Sequence, residues 1–185
     1  MRKIHVFENL TLDGYFTDDN NDMSWAHKQD EEFNEFSSSN ARGDAELLFG
    51  RITYEMMARF WPTAEAAKML PDVAAGMNRM RKYAFSRTLN TVTWQNTTVL
   101  KGDLVAEATR LKREDGPDLV VMGSGSIVSQ LTQARLIDEY QIVLNPLVLG
   151  RGRTLFESVK DRMVLRLDRT RTFKNGNVVL WYSVA

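Results

Sequence analysis

Two hydrophobic patterns alternate along this chain. Short apolar runs that stop at glycine, serine or arginine read as strands: residues 3–11 with Ile4, Val6 and Phe7, then 45–49, 82–86, 97–100 and 119–122. The run Leu119-Val-Val-Met122 has no polar alternation, as expected of a strand covered on both faces of a parallel sheet. Between these runs, apolar residues recur at three- and four-residue spacing. Helices are predicted over 28–40, with Phe33 and Phe36 inward, and from Gly50, with Ile52, Met56 and Phe60 on one side, closed by Trp61-Pro62. Further helices are predicted over 72–80, over 103–113 with Asp103 as N-cap, and over 127–134 with Ile127, Val128 and Leu131 on one face. A Ser-Ser-Ser-Asn-Ala-Arg-Gly turn is expected at 37–43. Strands at 162–172 and 178–184 are joined through Asn175-Gly176, the strongest hairpin signal in the chain. The pattern predicts a single α/β domain over 1–185: three layers, with a mixed, mostly parallel central sheet ending in an antiparallel C-terminal hairpin.

Composition narrows the chemistry. Lys plus Arg and Asp plus Glu are both 24, spread along the chain, so no nucleic-acid partner is expected. There is no cysteine, which excludes disulfides, thiolate catalysis and cysteine-metal sites. Asp18, Asn20 and Asp22 imitate the start of a calcium loop, but Met23 stands where glycine is needed and Gln29 where glutamate is needed, so no metal is expected. No apolar run approaches the roughly 18 residues of a membrane span and no signal-peptide core is seen, so a cytoplasmic protein is expected. His5 reads as a buried, satisfied imidazole in the first strand.

Three strand ends carry related chemistry. Gly50-Arg51-Ile52-Thr53 and Ser86-Arg87-Thr88 each set an arginine beside a hydroxyl, and Gly123-Ser124-Gly125-Ser126 presents backbone amides at a helix start. Either Ser124 or Ser126 can cap that helix. A strand, a glycine turn and a helix N-terminus suit an anionic phosphate, though the same stretch is compatible with a tight turn that holds nothing. It is neither a Rossmann fingerprint, since Val128 replaces the third glycine, nor a P-loop, since no lysine lies between Lys112 and Lys160. Arg51 and Arg87 could together fork a terminal phosphate.

The ordered set Leu12-Asp-Gly14, Gly50-Arg51, Ser86-Arg-Thr-Leu89, Val121-Met-Gly-Ser124, Leu136-Ile-Asp-Glu139 and Pro146-Leu-Val-Leu-Gly-x-Gly152 resembles the dihydrofolate reductase fold. It is most similar to the C-terminal reductase domain of riboflavin biosynthesis and its stand-alone relatives. The resemblance implies NADPH as cofactor, hydride transfer to a small heteroaromatic or carbonyl substrate, pterin- or pyrimidine-like, such as 5-amino-6-(5-phosphoribosylamino)uracil, and a homodimer. It places Arg51, Ser86 and Arg87 at the 2′-phosphate, with Gly50 and Thr53 in the same loop. Gly123, Ser124, Gly125 and Ser126 fall at the pyrophosphate, and Asp13 and Gly14 against the nicotinamide. A dihydrofolate reductase-like carboxylate on the first helix would be Asp30 or Glu32. His27 is a further acid candidate and Trp25 a pocket wall. Two other functions compete: a non-catalytic nucleotide- or pterin-binding protein, and a dimerisation domain using the apolar run 144–149.

Overall fold

The computed structural model describes residues 1–26 and 30–185. One eight-stranded sheet runs through it, built from β1 (Ile4–Thr11), β3 (Glu46–Gly50), β4 (Lys82–Phe85), β5 (Thr97–Leu100), β6 (Leu119–Val121), β7 (Glu139–Asn145), β9 (Leu165–Thr172) and β10 (Val178–Val184). Their order is β5-β4-β3-β6-β1-β7-β10-β9. The first six are parallel to one another, while β10 pairs antiparallel with both β7 and β9. The hairpin turn falls where Asn175-Gly176 predicts it, with Gly176 at φ 89°. A separate short pair, β2 (Tyr15–Thr17) and β8 (Arg153–Thr154), folds over one end. The family-level expectation of a mixed, mostly parallel sheet closed by an antiparallel pair is met.

Helices cover both faces. The even positions of β1, Ile4 and Val6, meet α5 (Leu104–Arg113) and α6 (Gly125–Gln133) through Ala108, Leu111, Ile127, Val128 and Leu131. The opposite face receives α1 (Glu31–Arg42), α2 (Arg51–Phe60) and α4 (Pro71–Arg79), with Phe33, Phe36, Tyr54, Val73 and Met77 as their buried contacts. Inward alternation on each strand is what lets one sheet hold two cores.

Beyond the unpredicted β2–β8 pair, the helices depart from the sequence pattern in three places. Residues 37–42 extend α1 instead of turning: the Ser37 hydroxyl is taken up by the Phe33 carbonyl, so it does not compete for a turn, and Ala41 is buried against the domain. An additional helix, α3 (Ala64–Met69), starts at Thr63, whose hydroxyl accepts from the Ala66 amide. On α2 the buried residue is Tyr54, whereas Ile52 and Met56 remain 49% and 37% exposed. Their apolar stripe faces no core.

Candidate functional site

All six parallel strands end at the same edge of the sheet, so the loops that follow β4, β3, β6 and β1 stand side by side. β1 and β6 are neighbours whose chains leave in opposite directions, β1 towards β3 and β6 across β1 towards β7. That arrangement opens a crevice at the strand ends. A cavity of about 120 Å³ lies there, walled by Phe7, Glu8 and Asn9 of β1, Phe16 of β2, Ile52, Thr53, Met56 and Met57 of α2, and Met122, Ser124 and Ser126. The exposed stripe of α2 is therefore the cavity's apolar wall.

The loops are locked to each other. The Gly50 amide donates to the Gly123 carbonyl at 3.1 Å, and a Cβ on Gly50 would stand 2.5 Å from Ser124 Oγ. A Cβ on Gly125 would stand 2.5 Å from the Phe16 ring. Gly123, at φ 92°, adopts a conformation that favours glycine. Ser124 is the N-cap of α6, but its hydroxyl makes no capping bond and lies 2.9 Å from Ser126 Oγ. The Ile127 amide makes the first helical bond, to the Ser124 carbonyl, so the amides of Gly125 and Ser126 precede the hydrogen-bonded ladder.

The other expected site residues separate into two groups. Arg51 opens α2 and pairs with Glu55 at 3.0 Å. Arg87 is exposed after β4 and makes no ion pair among the described residues. Ser86 Oγ accepts from the Thr88 and Leu89 amides, fixing the turn that carries Arg87. Of the expected residues that the structure describes, only Thr53, Ser124 and Ser126 line the cavity. Arg51, Ser86, Arg87, Gly50, Gly123 and Gly125 stand at the same strand ends but outside its lining, and Asp13, Gly14, Asp30, Glu32 and Trp25 also lie outside it. The Thr11 hydroxyl, aided by the Gly150 and Leu149 amides, holds the Asp13 carboxyl below its usual range, so Asp13 ties the loop after β1 to that before β8. Asp30 caps α1 through the Phe33 amide at 2.8 Å, and Glu32 pairs with Arg171 at 3.2 Å. Trp25 lies in a 3-10 turn (Ser24–Ala26), with its indole N–H buried and without an acceptor among the described residues. His27 lies outside the described residues. His5 sits at the opposite end of β1, half-buried, 3.2 Å from each of Asp118 and Glu139.

Glu8 is the site residue that the sequence reading missed. It continues the inward phase Ile4-Val6-Glu8, and only 6% of it is exposed. Burial pushes its carboxyl up to about 8, against a weaker opposing bond from the Asn9 amide. The available signal was a carboxylate in an inward slot of a core strand. A larger hollow, about 600 Å³, lies between α1 and α4, but Asp30, Glu31, Glu35 and Asp72 line it and it is wide open. It suits an anion poorly and lies away from the strand ends. No group of three potential metal ligands occurs among the described residues, and no described helix is long and apolar enough to cross a membrane.

This α/β sheet with its crevice at the strand ends has a family. The RibD C-terminal domain model matches residues 2–179, and the chain belongs to that family. It is 29% identical over 182 residues to YyaP of Bacillus subtilis (strain 168), an uncharacterised protein, covering 98% of this chain and 94% of that one. A Shewanella sp. PV-4 structure named for riboflavin biosynthesis superposes with TM-score 0.74 at 22% identity, covering 99% of both chains. A Thermotoga maritima deaminase/5-amino-6-(5-phosphoribosylamino)uracil reductase superposes with TM-score 0.68 at 14% identity, covering 100% of this chain and 57% of that one. These likenesses to solved structures show the fold.

Proposed function

We propose that the protein is an NADPH-dependent reductase that transfers a hydride to a small heteroaromatic or carbonyl substrate bound in the crevice. One observation carries the reading: the arginines after β3 and β4 and the amides at the start of α6 follow adjacent parallel strands and so share one sheet edge, where Thr53 of α2 with Ser124 and Ser126 of the α6 start line a cavity with an apolar wall. The residues fit a phosphorylated dinucleotide. Arg51 and Arg87 would hold a terminal phosphate, Gly123 to Ser126 a pyrophosphate, and the cavity a flat ring. The bound cofactor would supply the hydride, while the chain would orient the two reactants and exclude water. The reductase named among the structural relatives agrees with this reading. A homodimer belongs to the same proposal, supported by β9 at the sheet's edge, where Leu167 and Val184 of the terminal hairpin are exposed.

Cofactor choice tests the proposal. A charge-assisted contact is worth about 1.5–3 kcal/mol, and solvent exposure places these arginines at the low end. Arg87→Ala should weaken NADPH roughly tenfold and leave NADH nearly unchanged. Arg51→Ala should cost less, because Arg51 gives up Glu55 to bind phosphate. Fluorescence titration of both cofactors reads the difference. Equal losses for NADPH and NADH would make the arginines structural. Binding without oxidation across a panel of pterins, pyrimidines and carbonyl compounds would support a non-catalytic binding protein instead.

A further inference from the structure

Glu8 is an acid enclosed in the wall of this cavity with no cation beside it among the described residues. It follows Ile4 and Val6 on the inward face of β1, opposite Ile142 of β7. A Cβ on Gly123 would stand 3.0 Å from Glu8 Oε1 and 3.1 Å from Thr53 Oγ1. The loop after β6 thus lies against both the carboxyl and the first turn of α2, and Glu8, Thr53 and Ser124 line the same cavity.

Among the described residues, the elements packed around it offer no neutralising charge. β6 and its loop contribute Met122, Gly123 and Ser124; α2 contributes Ile52, Thr53, Met56 and Met57; β2 contributes Phe16. Arg51 and Glu55 of α2 are occupied with each other. Arg153 of β8 also lines the cavity, but its guanidinium lies over the Phe16 ring, 5.7 Å from the centroid, and donates to Asn21 Oδ1. Desolvation is accordingly the main influence on Glu8, and at neutral pH the group is a neutral carboxylic acid.

We propose that Glu8 is the acid of the reduction, giving its proton to the substrate heteroatom as the adjacent carbon takes the hydride, and remaining as a carboxylate beside the oxidised nicotinamide. The inference rests on the reductase reading above. The substrate's C=N or C=O bond loses its π pair. Its carbon gains a hydride from the dihydronicotinamide, and its nitrogen or oxygen gains the Glu8 proton. The substrate is reduced by two electrons, the nicotinamide is oxidised by two, and water later restores the proton to Glu8. The charge balance favours this assignment. A neutral acid suits the uncharged dihydronicotinamide, and a carboxylate suits the nicotinamide cation, so the cavity holds no net uncompensated charge before or after transfer.

Binding of the two cofactor forms tests the inference without a substrate. Affinities of NADP⁺ and NADPH are measured from pH 6.5 to 9.5 by calorimetry, and their ratio cancels the titration of the shared phosphates. For wild type, the NADP⁺/NADPH affinity ratio should rise roughly tenfold from pH 7 to pH 9, because the cation favours ionised Glu8. At pH 7, NADP⁺ binding should release a proton, counted in two buffers of different ionisation heat, and this release should vanish at pH 9.5. Glu8→Gln should bind both forms with a flat ratio. If that variant does not fold, the wild-type infrared band of a protonated carboxyl should disappear on adding NADP⁺ at pH 7. A pH-independent wild-type ratio, a slope that survives in Glu8→Gln, or a carboxyl band untouched by NADP⁺ overturns the proposal while leaving the reductase reading intact. Binding of neither form overturns both.

Discussion

Replacing Glu8 by glutamine should stabilise the protein, and by an amount that depends on pH. A free glutamate titrates near 4.5, and the buried Glu8 near 8. Below pH 4.5 the carboxyl is neutral in both folded and unfolded chains and costs nothing. As pH rises through 4.5 the unfolded chain ionises, while the folded chain keeps its proton, so wild-type stability falls. The loss continues to about pH 8, above which both states are ionised and the penalty is constant. At about 1.4 kcal/mol per pH unit, the gap of roughly 3.5 units amounts to about 5 kcal/mol by pH 8 and about 3 kcal/mol at pH 7. Glutamine is similar in size and does not titrate. The other carboxylates shifted by folding, Asp13, Asp118 and Asp168, are present in both proteins and cancel in the difference. For a chain this long, about 2–4 °C per kcal/mol converts the gap at pH 8 to roughly 10–20 °C in melting temperature. Urea melts of both proteins at pH 5, 7 and 8.5, followed by circular dichroism, read it directly. A difference between the two proteins that stays constant over this range would show that Glu8 ionises normally in the fold, and would refute the reasoning.

Two further substitutions test the framework of the site. Gly50→Ala puts a methyl 2.5 Å from Ser124 Oγ and 3.1 Å from Ile127 Cγ1, so the Ser124 hydroxyl must turn away from Ser126 or the loops after β3 and β6 must part. We expect a loss of about 1–3 kcal/mol in thermal unfolding together with weaker NADPH binding, and an unchanged affinity would detach this contact from the site. Lys82 is fully buried in β4, donates to the carbonyls of Met77, Asn78 and Met80 at the end of α4, and lies 4.5 Å from the Trp94 ring centroid. Lys82→Met leaves those carbonyls without their ammonium donor and should cost about 2–4 kcal/mol in urea melts, while cofactor affinity per folded molecule stays near wild type. A stability within about 0.5 kcal/mol of wild type would show that this cap contributes little.

Local order was legible in the chain because it depends on near neighbours. Apolar runs ending at glycine place β3, β6 and the turns after them, Asn175-Gly176 places the last hairpin, and Asp103 starts α5. The clustering of Gly50-Arg51, Ser86-Arg87 and the Gly123 loop at one edge follows from parallel strands, which the buried run 119–122 already implies. Other assignments needed partners distant in sequence. Asp30 has both the look of a catalytic carboxylate and the spacing of a helix cap, and only the bond to the Phe33 amide shows which use its oxygens serve. Ile52 and Met56 have the spacing of core residues, and become a cavity wall because no described element covers that side of α2. Glu8 is the sharpest case. Its phase in β1 sends it inward, but whether that means an ion pair, a solvated edge or an isolated acid depends on Thr53, Phe16 and Gly123, which approach from three other segments. Hydrophobic period is a property of the chain, whereas desolvation is a property of everything packed around one atom. The sequence by itself determined most of the strands and helices, though not α3 or the β2–β8 pair, and the loops that mark the crevice. Only the tertiary structure decided which carboxyl is buried in the crevice without a counter-charge.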